Sequence, residues 1–184
     1  MTQDNDGSNT ANIYKDSMPG MDDPIINQYG GNNTATIDQV GDVTGTGMAF
    51  IDQAGNSNDA SVNQTNGSDD KATINQVGNA NVAGINQNNS SGEVASITQN
   101  ASNNKATIHQ MGSGDKATII QNSDDNNATI EQGTFDSLSS SDNTASIIQE
   151  GGTGNRATID QVGSAKTADI IQTGTGNTTM VTQH

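Results

Sequence analysis

Short stretches in which apolar and polar residues alternate recur along the chain, and each one ends on glutamine. In the stretch QVGNANVAGINQ, residues 76–87, Ala, Ile and Gln stand two residues apart before the second glutamine. A period of two places these three side chains on one face of a β-strand, because successive strand residues point to opposite faces. The intervening positions carry mostly Thr, Ser, Asp and Asn, which suit a solvated face. The pattern therefore predicts short strands of the form A-x-I-x-Q.

This unit recurs from residue 24 to the end of the chain. Its glutamines, predicted to form a structural ladder, are Gln28, Gln39, Gln53, Gln64, Gln76, Gln87, Gln99, Gln110, Gln121, Gln132, Gln149, Gln161, Gln172 and Gln183. Two residues before each stands Ile or Val, and the predicted apolar core consists of Ile37, Ile51, Ile74, Ile85, Ile97, Ile108, Ile119, Ile130, Ile147, Ile159 and Ile170. Two residues earlier again stands Ala, except at Pro24 and Thr179 in the first and last units. Such a repeat indicates stacked supersecondary units with atypical ends.

The spacing of the glutamines alternates between a nearly fixed step and a variable one. Taken in successive pairs, they are 11 or 12 residues apart within a pair and 11 to 17 apart between pairs. This alternation predicts seven two-strand rungs, each folded through a standard arch and joined to the next by a looser one. The insertion at 133–143 lies in the variable class and is expected to bulge from one edge. The predicted fold is all-β: a β-solenoid of about seven stacked two-strand β-arch rungs, which forms a cross-β amyloid fibre on assembly.

Stacking of the rungs explains why glutamine recurs at regular intervals along the chain. Rungs about 4.7 Å apart place each amide above another, and an amide carries both donors and an acceptor. A column of glutamines can therefore hydrogen-bond along the stack, where an unpartnered buried amide would cost roughly 1–3 kcal/mol. The isoleucines supply the apolar burial, and alanine lets the two sheets approach closely.

Composition alone favours disorder, and the repeat overrides it. Only 29% of the residues are hydrophobic and 2% aromatic, which is little apolar surface to offset the entropy of ordering. The net charge of −15 disfavours binding to nucleic acid or to anionic membranes, whose phosphates need a basic surface. No apolar run approaches the roughly 20 residues that membrane insertion requires.

Candidate chemistry for an enzyme is sparse. His109 falls on an outward strand position and His184 is the last residue, so both are interpreted as solvated surface residues. The SDD clusters at 68–70 and 123–125 are interpreted as solvated turn carboxylates rather than a calcium site, because calcium-binding β-rolls repeat every nine residues. We expect no catalytic residues, no cofactor and no metal site.

The ends and one face of the stack are the expected contact surfaces. The first and last rungs expose unpaired strand edges, which favour end-to-end self-assembly. On one outward face Ile120, Ile148 and Ile171 fall in consecutive rungs. They are interpreted either as tolerated surface apolar residues or as a lateral contact patch for fibre bundling.

The segments between glutamines that are 11 residues apart also share residues in the turn that precedes the strand. Stretches such as QYGGNNTATIDQ (28–39) and QAGNSNDASVNQ (53–64) give the pattern Q-x-G-x-x-N-x-A-x-x-x-Q. Ala101 and Ser123 depart from the glycine, and Asp115 and Lys166 depart from the asparagine. Over residues 24–184 the pattern resembles the curlin repeat of bacterial curli subunits.

The resemblance implies a subunit of extracellular, cell-surface amyloid fibres for biofilm matrix and surface adhesion. It also implies export through an outer-membrane secretion pore and a homologous nucleator, and it leaves open whether this chain is the major subunit or the nucleator. Residues 1–23 are then expected to be a flexible export-recognition segment with a degenerate strand at 9–15. MTQDNDGSNT is too polar for a signal peptide, which is expected to have been removed.

A rival interpretation is a monomeric β-solenoid that binds ice or another flat surface. It requires a regular outward array of threonine, whereas positions equivalent to Thr36 are only partly threonine and have charged neighbours. A carbohydrate-binding or enzymatic solenoid needs clustered carboxylates or aromatic residues on one face, and the chain has two Phe and two Tyr. Both rivals rank below the fibre subunit.

Overall fold

The computed structural model describes residues 2–3, 7–16, 24–41, 47–133 and 141–184. These residues form strands and turns and no helix. The strands are β1 Thr2–Gln3, β2 Thr10–Lys15, β3 Ile25–Tyr29, β4 Thr34–Val40, β5 Met48–Ala54, β6 Asp59–Thr65, β7 Lys71–Val77, β8 Val82–Asn88, β9 Val94–Gln99, β10 Lys105–Gln110, β11 Lys116–Gln121, β12 Asn127–Gln132, β13 Thr144–Glu150, β14 Arg156–Gln161, β15 Thr167–Thr173 and β16 Thr178–Gln183.

The strands form two parallel sheets. Odd-numbered strands make sheet A and even-numbered strands make sheet B, each in chain order. Neighbours pair in register: Ile119 lies beside Ile147 in sheet A, and Gln87 lies beside Gln110 in sheet B. One odd and one even strand together make a rung, so the predicted all-β solenoid is confirmed, with β3–β16 as its seven rungs. Strands β1 and β2 add a further rung beside β3 and β4.

The core is a thin layer of isoleucine and alanine between the sheets. All eleven isoleucines of the predicted core are at most 4% exposed, and alanines two residues earlier are buried with them. Burial of each isoleucine contributes roughly 1.5–3 kcal/mol. The β-branched side chain also suits a pleated strand. A single column of isoleucine in each sheet therefore carries most of the apolar stabilisation.

Glycine follows several glutamines by two residues because stacked turns approach closely there. Gly30 and Gly55 have φ angles of +92° and +122°, which favour a residue without Cβ. A Cβ at Gly30 would collide with the carbonyl oxygen of Gly55, and one at Gly55 would collide with that of Gly78. The repeat glycine is thus required by the next rung as well as by the turn.

Two sequence predictions concern residues that the structure describes only in part. The bulge predicted at 133–143 involves 134–140, which lie outside the described residues, while Asn143 stacks with the neighbouring arches. The flexible segment predicted at 1–23 includes 1, 4–6 and 17–23, which also lie outside them, whereas Thr10–Lys15 forms β2. Within the described ranges, no helix is long and apolar enough to cross a membrane.

Candidate functional site: the stacked side-chain columns

The glutamines of the predicted ladder line up in two columns, one in each sheet. Thirteen of them, Gln28 to Gln172, are buried, and Gln183 is half-buried. Except in the last rung, which contains Gln172 and Gln183, each Nε2 donates to the Oε1 of the glutamine in the next rung at 2.7–3.0 Å. The pairs in sheet A are Gln28–Gln53, Gln53–Gln76, Gln76–Gln99, Gln99–Gln121, Gln121–Gln149 and Gln149–Gln172. Those in sheet B are Gln39–Gln64, Gln64–Gln87, Gln87–Gln110, Gln110–Gln132, Gln132–Gln161 and Gln161–Gln183.

A second hydrogen bond, which within the described residues the Nε2 of each of these glutamines except Gln39 donates to a backbone carbonyl oxygen of the opposite sheet, ties the two sheets together and fixes the direction of the ladder. Gln99 Nε2 also donates to the carbonyl oxygen of Val82, at 3.1 Å, and Gln87 Nε2 donates to that of Lys71, at 3.2 Å. Turning the amide over would set its oxygen against a carbonyl oxygen, so the orientation is determined. Every described glutamine pair therefore donates toward the C-terminal rung.

The arch that joins a sheet A strand to the following sheet B strand, the first arch, holds a column of asparagines. In each case the backbone N–H of one asparagine donates to the Oδ1 of the asparagine one rung before it, at 2.9–3.0 Å. The column runs through Asn9, Asn33, Asn58, Asn81, Asn104, Asn126, Asn155 and Asn177. These bonds satisfy backbone groups that burial would otherwise leave unpaired.

The arch that returns from sheet B to sheet A, the second arch, holds acids in the equivalent column. Asp70, Glu93 and Asp115 are 2%, 0% and 0% exposed and lie in three consecutive rungs. Asp70 Oδ1 accepts the backbone N–H of Glu93 at 3.0 Å, and its Oδ2 accepts the Ser90 hydroxyl at 2.7 Å. Both carboxyl oxygens of Glu93 are buried without a hydrogen-bond partner among the described residues. The middle acid is thus the least compensated group of the column.

This environment changes the protonation of the column. The pKa of Glu93 is raised to about 9, mainly by burial and in smaller part by the neighbouring carboxyls of Asp115 and Asp70. Burial also raises the pKa of Asp70, against the lowering effect of its hydrogen bond from Ser90. Glu93 is therefore neutral at pH 7 in the folded chain. No group of three or more His, Asp or Glu in the described part of the chain is arranged to hold a metal ion.

Burial of Asp70 corrects one sequence interpretation and shows what the sequence reading missed. The cluster at 68–70 was expected to be solvated, but Asp70 is buried while Asp69 is exposed. The acid column escapes an alignment on glutamine because some steps are 11 residues and others 12. Counting two residues back from each strand alanine aligns it: Asp70 precedes Ala72, and Glu93 precedes Ala95.

The outward faces carry the remaining sequence-predicted residues. Ile148 lies between Ile120 and Ile171 on sheet A, and Ile171 is 67% exposed. On sheet B an open hollow of about 420 Å³ lies over Gly84, with His109 at its border. The other lining groups are Thr, Ser, Asn, Val and Ile with Asp38. A lone imidazole over a flat sheet lacks the paired nucleophile and base that hydrolytic chemistry needs.

Comparison with known proteins identifies the repeat. The family model described as curlin associated repeat matches residues 101–133, 141–174 and 152–184. These matches contain β10 to β16 with both kinds of arch. Neither the curated proteins nor the solved structures give a match.

Proposed function

Because the chain is a member of the curlin-repeat family, and so a curli-type structural protein, we propose that it polymerises end to end into extracellular amyloid fibres. The observation that carries this proposal is the direction of the amide columns. From β3 to β16 each rung donates to the next in the same sense, so the two ends of this seven-rung stack are complementary. A second copy added at an end repeats the pairing already made between rungs.

Addition of a copy would bury the outermost strands. In the single chain β15 and β16 pair with β13 and β14 on one side only. Parallel edges with unpaired backbone groups are templates for further strands. The charge of −15 keeps separate chains apart, and salt screens it. Assembly should therefore be faster at higher ionic strength.

The biological setting belongs to the same proposal. The curlin resemblance supports cell-surface fibres that serve biofilm matrix and adhesion, with export through an outer-membrane pore and a homologous nucleator as partners. Residues 1–23 would serve as the export-recognition segment. The outward faces would meet water and the surrounding matrix, and the protein would act as a structural material rather than as a catalyst.

The ladder provides the experiment that tests this function. Changing Gln87 and Gln110 to Ala removes two adjacent members of the sheet B column and leaves neighbouring amides unpaired, at roughly 1–3 kcal/mol each. We expect a several-fold longer lag and slower elongation, measured by dye fluorescence and sedimentation after removal of denaturant. The matched control changes their outward neighbours Asn86 and His109 to Ala and should assemble like the parent. Equal kinetics of both variants would contradict the proposal.

A second part of the proposed function concerns the lateral bundling of fibres. We propose that the column Ile120–Ile148–Ile171 is a lateral contact between fibres, because it is a continuous run of apolar side chains on the outward face of three neighbouring strands. Changing all three to Ser should leave single fibres intact and separate the bundles in electron micrographs. Bundles that persist would assign the three residues to tolerated surface positions.

A further inference from the structure

The N-terminal end of the sheet B ladder contains a mismatch. Strand β2 lies beside β4 and places Lys15 next to Gln39. In every later pair of sheet B strands, a glutamine lies next to a glutamine at this position. Gln39 donates to Gln64, but its own Oε1 is buried and has no hydrogen-bond partner among the residues that the structure describes. Lysine carries only donors at the end of a long chain and cannot replace the amide geometrically. The acceptor at the N-terminal end of the sheet B column, Gln39 Oε1, is therefore covered by β2 but accepts no hydrogen bond from it.

A second acceptor on the same strand is in the same state. Asp38 Oδ1 is buried without a hydrogen-bond partner in the described part of the chain, and Asp38 lies between Tyr14 of β2 and Asn63 of β6. Both unpartnered oxygens thus belong to β4. A buried acceptor without a partner is unfavourable, and β2 supplies a hydrogen bond to neither of these adjacent positions of β4.

The strand at the other end of the molecule has the residues that β4 lacks. Aligned by its place in the repeat, β16 (TTMVTQ) has Thr182 where β2 (TANIYK) has Tyr14, and Gln183 where β2 has Lys15. Thr182 has a short hydroxyl, and Gln183 has an amide whose Nε2 donates to the Thr167 carbonyl oxygen at 3.1 Å. A glutamine Nε2 has two N–H groups, so one remains to continue the ladder. Asn177 likewise occupies the place of Asn9.

We propose that β2 occupies, within one chain, the site that β16 of a second copy takes in the fibre. This inference rests on the proposed assembly and specifies its interface: β16 displaces β2 from β4, Gln183 donates to Gln39 Oε1, and the Thr182 hydroxyl donates to Asp38 Oδ1. Strand β2 then slows assembly by covering the growing edge. Replacement of a resident strand by a better-matched one is a known route to β-sheet association.

The alternative arrangement keeps β2 in place and stacks β16 of the second copy on it. That arrangement sets Gln183 against Lys15, so a donor meets a donor, and the acceptor of Gln39 remains unused. The two arrangements differ in the residue that lies beside Met180: it is Thr36 of β4 after displacement and Asn12 of β2 if β2 is retained, because Asn12 pairs with Thr36.

The absence of cysteine allows the two arrangements to be distinguished. The variants Thr36→Cys/Met180→Cys and Asn12→Cys/Met180→Cys are each assembled and treated with dibromobimane, which bridges only adjacent thiols. Within one chain β4 and β16 are six strand spacings apart, roughly 29 Å, so a bridge between Thr36→Cys and Met180→Cys must join two chains. The single-cysteine variants control for lateral contacts.

We expect covalent oligomers on denaturing gels for the Thr36/Met180 pair and not for the Asn12/Met180 pair. The reverse result, or fibres that give bridges in neither variant, would overturn the displacement. Failure of the untreated parent chain to form fibres would instead overturn the proposed function itself.

A second measurement holds β2 in place. The variant Asn12→Cys/Thr36→Cys, bridged before assembly in the soluble chain, should lengthen the lag at least tenfold relative to the same variant left unbridged. A bridged chain that polymerises at the unbridged rate would show that β2 need not leave β4, and would contradict the proposal.

Discussion

The two arches of each rung perform the same geometric task with different side chains. In the first arch, the column is asparagine in every rung, and each amide accepts a backbone N–H from the next. In the second arch, the equivalent column contains Asp70, Glu93 and Asp115, followed by Asn143 and Lys166. The first arch has a nearly constant length, whereas the second accommodates the insertion at 133–143.

The difference shows what a buried stack requires and what it tolerates. A neutral amide supplies both an acceptor and donors, so its column closes without charge. A carboxylate supplies acceptors only, and two neighbours in adjacent rungs repel each other unless a proton neutralises one of them. The asparagine column of the first arch therefore adds no pH dependence to the stability of the stack, whereas the acid column of the second arch does.

The largest expected effect comes from neutralising the acid column. Glu93→Gln should raise the free energy of unfolding at pH 7 by roughly 3 kcal/mol. In the parent, the Glu93 carboxyl ionises favourably once the chain unfolds, and this stabilises the unfolded state. The glutamine variant has no such proton to lose. The parent should lose about 1.4 kcal/mol per pH unit between its ordinary pKa of 4.5 and about 9, since the folded pKa is raised. Guanidinium unfolding at pH 4, 7 and 9 measures this slope.

The control for that measurement is Glu131→Gln on the outward face of β12, where the carboxyl is exposed. It should leave both the stability and its pH dependence unchanged. A parent whose stability does not fall from pH 5 to pH 9 would show that Glu93 is not held neutral in the fold.

A smaller effect is expected from transferring the acid into the first arch. Asn81 accepts the Asn104 N–H at 3.0 Å and donates to the Ala101 carbonyl oxygen at 2.7 Å. Asn81→Asp keeps the acceptor but sets a carboxylate oxygen against that carbonyl, which should cost about 2 kcal/mol at pH 7. Protonation at low pH restores a donor, so unfolding curves at pH 4 and pH 7 should converge on the parent at the lower pH. An equal loss at both would assign the effect to shape alone.

The smallest effect concerns a requirement that both arches share. Ala80 in the first arch and Ala165 in the second have φ angles of 56° and 55°, a left-handed conformation that costs energy for any residue with a Cβ. Ala80→Gly and Ala165→Gly should each gain about 0.5–1 kcal/mol. Ala83→Gly, in strand β8, is the matched control and should lose stability in the same denaturation series. A loss at both arch positions would contradict the assigned strain.

Most of the fold could be predicted because the alternation of Ala, Ile and Gln has a single physical solution. A period of two sets the inward face, and the in-register stack follows from identical residues such as Ile85 and Ile108 at equivalent places. The extra rung of β1 and β2 was harder to predict, since Lys15 replaces the glutamine that marks every other sheet B strand. Only a degenerate strand at 9–15 could be inferred there.

The acid column could not be inferred from local sequence. Asp69 and Asp70 are adjacent and chemically alike, yet one is exposed and the other buried. Their difference depends on which residue of the turn falls in register with Glu93 one rung away. Burial of a turn residue is thus a property of the stack, and it requires the register of two arches rather than the composition of one.

The most direct test of end-to-end cross-β assembly is fibre diffraction of the full chain after denaturant is removed, with micrographs of the same sample. End-to-end cross-β assembly predicts unbranched filaments with reflections near 4.7 Å along the fibre and about 10 Å across it. A soluble, β-rich monomer that never polymerises would contradict the account and would favour a solenoid that works alone at a surface.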